Sequence, residues 1–145
     1  MEDLTQTLMA KMLEGLPKGM MIPPPIFTEV GGRLTHFENN TLVARFPTLE
    51  RWANPMGHMQ GGMIATILDC TLGPLAFLVA PPSATSTMTI NFIRPVLGSY
   101  DYVEVTAKVV DRTMRQLILS AEVTNPQGKL MATAQAIAVI VGAKV

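Results

Sequence analysis

The long apolar segment at residues 62–80 constrains the fold more than any other feature of this chain. It carries one charged residue, Asp69, at its centre, and a polar loop rich in glycine precedes it. A segment of this length and composition is compatible with a membrane span. Asp69, the Gly73-Pro74 pair and the lack of flanking basic clusters argue against that interpretation. We therefore predict a buried helix that other elements of the protein cover.

Shorter segments surround this predicted helix. Residues 4–16 carry apolar side chains at helical spacing and predict an N-terminal helix, which a stiff connector at Pro23-Pro24-Pro25 follows. A first strand is predicted at residues 26–30, and a hairpin around residues 38–40. Pro74 predicts a kink or an early end of the long helix. The four remaining predicted strands are residues 85–93, 100–110, 116–124 and 130–141, with a turn at residues 125–128 between the last two.

This order of elements predicts the fold class. An apolar helix must be covered on most sides, and an antiparallel sheet is the only element available to do so. We expect an α+β fold in which a curved antiparallel sheet wraps around one long central helix. The 145 residues form one domain on this interpretation, with an N-terminal helix and connector at residues 1–22 and the core at residues 26–145.

The charge, the cysteine content and the N-terminal sequence argue against several kinds of partner and site. The formal net charge is +0, which argues against nucleic acid, because phosphate-binding domains usually show a basic excess. Cys70 is the one cysteine, so neither an internal disulfide nor a CxxC metal site is expected. The sequence shows no signal peptide, and we expect a cytoplasmic protein that does not associate with membranes.

The loop and the start of the long helix carry a resemblance to a known family. Residues 54–57 (NPMG) precede Gly61-Gly62, Asp69 follows seven residues later, and residues 91–95 (NFIRP) end the next strand. This pattern resembles the hotdog-fold acyl-CoA thioesterases of the PaaI-like, phenylacetate-degradation type. The resemblance implies a hotdog fold, a homodimer or homotetramer with sites at the subunit interface, and acyl-CoA as substrate without a metal or prosthetic group. The family usually has histidine directly before Gly-Gly, where this chain has Gln60.

The two main catalytic candidates lie on the long helix. Gly61 opens the helix, where backbone N–H groups lack an intrahelical partner and favour developing negative charge. The resemblance implies that the Gly61 N–H polarises the thioester carbonyl, whereas tight packing at the turn is the alternative. Asp69 is the candidate base or nucleophile, and we expect it to be poorly solvated. The alternative is an aspartate that hydrogen-bonds to backbone or to Ser and Thr groups under the sheet.

The spacing of Gly61 and Asp69 predicts a shared site. Eight residues of helix separate them, which is about 12 Å at roughly 1.5 Å per residue. One thioester carbonyl cannot contact both groups in one chain. If both act on it, Asp69 must come from a second subunit.

Further residues are candidates for assisting roles. By resemblance Asn54 orients the attacking water or the Asp69 carboxylate, and a turn role before Pro55 is the alternative. Gln60 is the fourth catalytic candidate, because its side chain can donate a hydrogen bond to the thioester oxygen. Unlike histidine, it cannot take up or release a proton. Each substrate-binding candidate also has a purely structural alternative, such as a core methionine, a strand threonine or a solvated arginine. These candidates are Gly62, His58, Met63, Thr85, Thr87, Arg94 and Arg115, with Arg112 as a further cation for coenzyme A.

Three functions are compatible with these residues. The first is hydrolysis of an acyl-CoA thioester to the free acid and coenzyme A. The second is an acyl-CoA or acyl-carrier binding module without turnover, which Gln60 suggests. The third is a hydratase or dehydratase, which requires a histidine paired with an acid, and His58 is misplaced for that pairing.

Overall fold

The computed structural model describes residues 1–142. Two helices come first and a hairpin follows, then a long helix and four strands. The elements are α1 (Thr5–Leu13), α2 (Pro25–Glu29), β1 (Arg33–Glu38), β2 (Thr41–Phe46), a 3-10 turn (Glu50–Trp52), α3 (Gly61–Val79), β3 (Ser83–Phe92), β4 (Val103–Arg112), β5 (Gln116–Thr124) and β6 (Leu130–Ile140). The α+β class is confirmed, and the predicted order of the elements holds except at residues 26–30.

The six strands form one antiparallel sheet in the order β1-β2-β4-β5-β6-β3. Sequential hairpins join β1 to β2 and β4 to β5 to β6, whereas β3 pairs with the last strand, β6. The connection through α3 thus places β3 at one edge of the sheet and β1 at the other.

The apolar helix α3 lies against this sheet and forms the centre of the core. Ile67, Leu68 and Leu75 are fully buried, and α1 adds Met9 and Met12 to the same cluster. The helix is long and apolar enough to cross a membrane, yet 44% of an 18-residue apolar stretch within it is buried inside the protein. The predicted helix covered by a sheet is confirmed.

Both predicted hairpin turns are present. Asn39 and Asn40 have φ of 51° and 58°, the left-handed pair that a two-residue turn between twisted strands requires. Asn125 Oδ1 accepts hydrogen bonds from the N–H groups of Gln127 and Lys129, and this bonding closes the turn between β5 and β6.

Two predictions about local structure are wrong. Residues 26–30 do not form a strand, because Pro25 begins the short helix α2 at a position where proline costs no hydrogen bond. Phe27 of this helix is 1% exposed, so it packs into the core in a helical rather than an extended conformation. The early end at Pro74 is also wrong, since α3 continues to Val79. Pro74 is itself buried, and its packing offsets the hydrogen bond that proline cannot donate.

Candidate active site

The loop before α3 is folded around the side chain of Asn54. Asn54 Oδ1 accepts hydrogen bonds from the N–H groups of Met56 (2.9 Å) and His58 (3.0 Å), and the Asn54 N–H donates to the His58 carbonyl (2.6 Å). Gly57 has φ of +80°, which glycine adopts without strain. The turn role weighed for Asn54 is therefore present. Its side-chain NH2 is the part that is left for a ligand.

The start of α3 presents backbone amides to this loop. The Gln60 carbonyl accepts hydrogen bonds from the N–H groups of Met63 (2.9 Å) and Ile64 (3.1 Å). The amides of Gly61 and Gly62 precede these two and belong to the turn that has no intrahelical acceptor. A Cβ on Gly61 would meet only Phe92, at 3.5 Å, and one on Gly62 would meet open space. Packing within the chain therefore does not require glycine at either position.

A first cavity, which we call the glycine cavity, opens beside Gly61. It has a volume of about 280 Å³. Its lining includes the half-buried side chains of Asn54 and His58 and the exposed Phe92 and Arg94. The complete lining is Asn54, His58, Met59, Gly61, Ile64, Phe92, Ile93, Arg94, Pro95 and Val96. The fold thus brings four of the predicted site residues together around the N-terminus of α3.

Asp69 lies elsewhere, in the middle of α3. Its carboxylate is exposed in the single chain, so the poor solvation expected from the sequence is wrong for the isolated subunit. The expectation failed because α3 turns one stripe of its surface away from the sheet, and Asp69 lies on that stripe with Gly62. Thr85 Oγ1, on the strand that follows α3, donates to Asp69 Oδ1 at 3.5 Å.

A second cavity, which we call the Asp69 cavity, has a volume of about 340 Å³. Its lining is Met12, Met20, Met21, Ile22, Pro24, Ile26, Phe27, Asp69, Cys70, Gly73, Pro74, Phe77 and Thr85. Asp69 is the one charged side chain in that set. Burial, and to a lesser extent the charge of Asp69, raise the pKa of the Cys70 thiol to about 11. A thiol held protonated in this way is a poor nucleophile at neutral pH.

The remaining candidates are distributed along the molecule. Arg94 Nη1 donates to the Leu130 carbonyl at 2.8 Å, at the rim of the glycine cavity. Arg112 Nη1 donates to the Val79 carbonyl at 3.0 Å, so it caps the C-terminus of α3. Arg115 lies in the turn after β4, near that same end of α3.

Six of the candidates line neither cavity, namely Gln60, Gly62, Met63, Thr87, Arg112 and Arg115. Met63 is half-buried and packs against the core, as its structural alternative states. Thr87 is exposed on β3 and lines neither cavity. Within residues 1–142, no group of three or more His, Cys, Asp or Glu side chains is placed to hold a metal ion.

Sequence reasoning missed the aromatic and methionine side chains at both cavities. Phe92 is 56% exposed beside Gly61, and Met20 and Met21 of the N-terminal connector line the Asp69 cavity. Phe92 lies inside the strand-end motif at residues 91–95, which was a usable signal. The connector has no motif that predicts this contact, because Met20 and Met21 are far from Asp69 along the chain.

Comparison with known proteins places these features in a family. The model of the thioesterase superfamily matches residues 56–132, which include Gly61, Asp69 and Arg94. No curated protein sequence matches this chain at a significant level.

Solved structures show the same fold. The PaaI protein from the phenylacetic acid degradation operon of Escherichia coli superposes with a TM-score of 0.82 at 18% identity, over 94% of this chain and 98% of that one. A phenylacetic acid degradation-related, putative thioesterase from Ralstonia eutropha gives 0.79 at 21% identity, over 96% and 100%. A hypothetical thioesterase from Streptococcus pneumoniae, solved with coenzyme A, gives 0.73 at 16% identity, over 79% and 91%. The hotdog fold is thereby confirmed.

Proposed function

Because this chain belongs to the thioesterase superfamily, we propose that it hydrolyses an acyl-CoA thioester to the free acid and coenzyme A at a site that two subunits share. One observation carries this proposal. Gly61 and Asp69 lie on the same helix but line two different cavities. A carbonyl held at Gly61 is therefore out of reach of Asp69 in the same chain, and the second group comes from a partner.

The exposed edge strand β3 supports pairing with a second copy. Its sequence, SATSTMTINF, has no charged residue, and most of its side chains are exposed. Edge strands normally carry charges, proline or a cover, because their unpaired backbone groups otherwise recruit another strand. Phe92 and Ile93, 56% and 44% exposed, add apolar surface at one end. An uncharged edge of this kind fits an interface.

Antiparallel pairing of two β3 strands about a two-fold axis also unites the catalytic candidates. Asp69 contacts Thr85 near the start of β3, and Gly61 lies beside Phe92 at its end. A two-fold axis places the end of one strand against the start of the other. The arrangement therefore brings Gly61 of one subunit toward Asp69 of the partner subunit, and it does so twice per dimer.

The proposed chemistry divides the work between the two helices. The Gly61 N–H donates to the thioester oxygen at the positive end of the α3 macrodipole, where the oxyanion of the tetrahedral intermediate is stabilised. The carboxylate of the partner's Asp69 either takes a proton from the attacking water or attacks the carbonyl carbon itself. The side-chain NH2 groups of Asn54 and Gln60 are available to hold that water or the thioester oxygen.

Arg94 is the proposed contact for the coenzyme A phosphates, since it lies at the rim of the glycine cavity. Arg115 lies near the opposite end of α3 and is the weaker candidate in a single subunit. Gly62 lies on the exposed stripe of α3 that the partner would cover, and Thr85 of β3 borders this stripe.

Release of the coenzyme A thiol tests the proposal. The purified protein is mixed with acetyl-, octanoyl-, decanoyl-, phenylacetyl- and hexadecanoyl-CoA, and free thiol is followed with a chromogenic disulfide. Steady turnover of at least one of them is expected. Saturable binding of these compounds without thiol release would favour the second candidate, a binding module that does not hydrolyse its ligand.

One observation favours that second candidate. Gln60 is exposed at the N-cap of α3. PaaI-like thioesterases usually have histidine at this position, and the amide of Gln60 cannot accept and release a proton as histidine does. Hydrolysis therefore requires that Asp69 alone carries out the proton transfer from the attacking water. If the wild type does not hydrolyse acyl-CoA and the Gln60→His variant does, this chain is the binding module.

A further inference from the structure

We propose that the Asp69 cavity binds the acyl arm of the thioester and that its N-terminal wall limits this arm to an apolar group of about ten carbon atoms. This inference rests on the proposed function for its ligand. It goes beyond that function in naming the substrate class and the segment that selects it.

The composition of the cavity defines the chemistry of its ligand. Phe27, Phe77 and Met12 supply an apolar surface, and Asp69 is the one charged residue of the lining. Asp69 is exposed, so its carboxylate marks the mouth of the cavity where the reacting bond would lie. A carboxylated acyl group, such as a succinyl group, would meet this negative charge and find no cation in the lining. An uncharged hydrocarbon or aryl chain fits.

The volume of the cavity bounds the size of that chain. A water molecule takes about 30 Å³ in the liquid. A volume of 340 Å³ therefore corresponds to about eleven water-sized groups, and a methylene is of similar size. Cavities of about 300 Å³ and more are typical of small-molecule sites. An acyl chain much longer than ten carbons would have to leave the cavity.

The N-terminal segment forms the wall opposite α3. Met12 comes from α1, and Met20 and Met21 come from the connector that follows it. The segment is fixed to the sheet at its start, where the Leu4 N–H donates to the Leu34 carbonyl (2.7 Å) and the Leu34 N–H donates to Thr5 Oγ1 (2.9 Å). Methionine side chains adapt to irregular volumes, so this wall accepts both linear and aromatic groups.

Gly73 offers a way to fill the cavity without strain. It lines the cavity from inside α3, and a Cβ added there would meet nothing within 4 Å. Leucine is a far better helix former than glycine, so Gly73→Leu should not weaken α3. Gly73→Ala is the matched control, because it makes the same improvement in helix propensity and adds only one methyl group.

Calorimetric titration with alkyl-CoA thioethers, which cannot be hydrolysed, measures the cavity directly. Chains of two, six, ten and sixteen carbons are compared. Binding to the wild type should tighten up to about fourfold per added methylene until about ten carbons and then level off. Gly73→Leu should weaken binding of the ten-carbon thioether at least about tenfold, because it removes the space of several methylenes, and should change the two-carbon thioether less than twofold. Gly73→Ala should stay near the wild type.

A double variant, Met20→Ala with Met21→Ala, tests the wall from the other side. Both side chains are partly exposed (37% and 70%), so their truncation should leave the fold intact. Affinity for the ten-carbon thioether should fall about threefold or more, and that for the two-carbon thioether should not change. This variant decides the outcome if sedimentation shows that Gly73→Leu alters the oligomeric state.

The inference is overturned if affinity does not depend on chain length, or if both cavity variants retain the wild-type profile. Hydrolysis without chain-length selection would refute the inference and leave the proposed function standing. Selective binding without any thiol release would do the opposite.

Discussion

Gly61 and Asp69 share one helix but face different cavities, and the single strand β3 borders both of them. Gly61 lies beside Phe92 at the end of β3, and Asp69 accepts a hydrogen bond from Thr85 near its start. Along α3 the two residues are about 12 Å apart. A two-fold axis through the β3 edge would bring Gly61 of one subunit close to Asp69 of the other. This geometry is the reason to expect a shared site.

The first prediction concerns the carboxylate. Asp69→Asn removes the base and nucleophile but keeps the shape of the side chain, so kcat should fall about 10²–10⁴-fold. Asp69 is exposed in the chain, and its contact with Thr85 is long, so the melting temperature should hardly change. Asp101→Asn, an exposed aspartate that lines neither cavity, is the control and should retain full activity. A large loss of stability in Asp69→Asn would point to a structural role.

The second prediction tests the division of labour between subunits. Gly61→Val should abolish carbonyl binding and still fold, since its Cβ meets only Phe92 at 3.5 Å. A mixed dimer of Gly61→Val and Asp69→Asn chains contains one intact site and one doubly altered site. About half of the wild-type activity should return in the mixed dimer, whereas both parent dimers stay nearly inactive. A mixed dimer as inactive as its parents, with subunit exchange verified, would refute the shared site.

The third prediction concerns the interface. Thr89→Lys places a charge in the middle of the exposed β3 edge, where lysine blocks strand pairing. We expect a monomer at micromolar concentration in sedimentation velocity, with activity lost in parallel. Thr7→Lys makes the same change on the exposed face of α1 and should leave both properties intact. A wild type that is itself a folded, active monomer would contradict the proposal.

The fourth prediction separates two arginines by their structural contacts. Arg94→Ala removes an exposed cation from the glycine cavity, and the KM for acyl-CoA should rise about two- to fivefold, less at high salt. Arg112→Ala removes a hydrogen bond to the C-terminal carbonyl of α3 at Val79. It should lower stability by about 0.3–1 kcal/mol and leave KM unchanged. Thermal denaturation and steady-state kinetics of both variants distinguish the two roles.

The fifth prediction concerns the thiol beside Asp69. Burial first, and then the charge of Asp69, raise the pKa of Cys70 to about 11 from an ordinary value of 9.0. The thiolate is therefore scarce at neutral pH, and alkylation by iodoacetamide should be slow at pH 7 and accelerate as the pH rises toward 11. Removal of the negative charge in Asp69→Asn lowers the pKa, and alkylation at a fixed pH should become faster. Cys70→Ala should remain active, because a thiol that stays protonated at neutral pH is a poor nucleophile.

The N-terminal region shows where sequence reasoning stops. Ile26, Thr28 and Val30 are β-branched and favour a strand, but Pro25 at the first helical position begins the short helix α2 instead. The contact of the connector with the Asp69 cavity could not be predicted from the sequence, because it depends on how α1 docks on β1 and α3.

Local spacing and backbone preference were enough to predict the covered helix, the hairpins and the residues that cluster at the N-terminus of α3. The place of β3 at the sheet edge and the exposure of Asp69 could not be predicted in this way. Both depend on pairing between segments far apart in the chain, such as β3 with β6. A buried charge in an apolar helix is costly, and the fold avoids that cost by turning Asp69 outward. The carboxylate that appears isolated in the sequence thereby lies on an exposed stripe beside an uncharged strand edge.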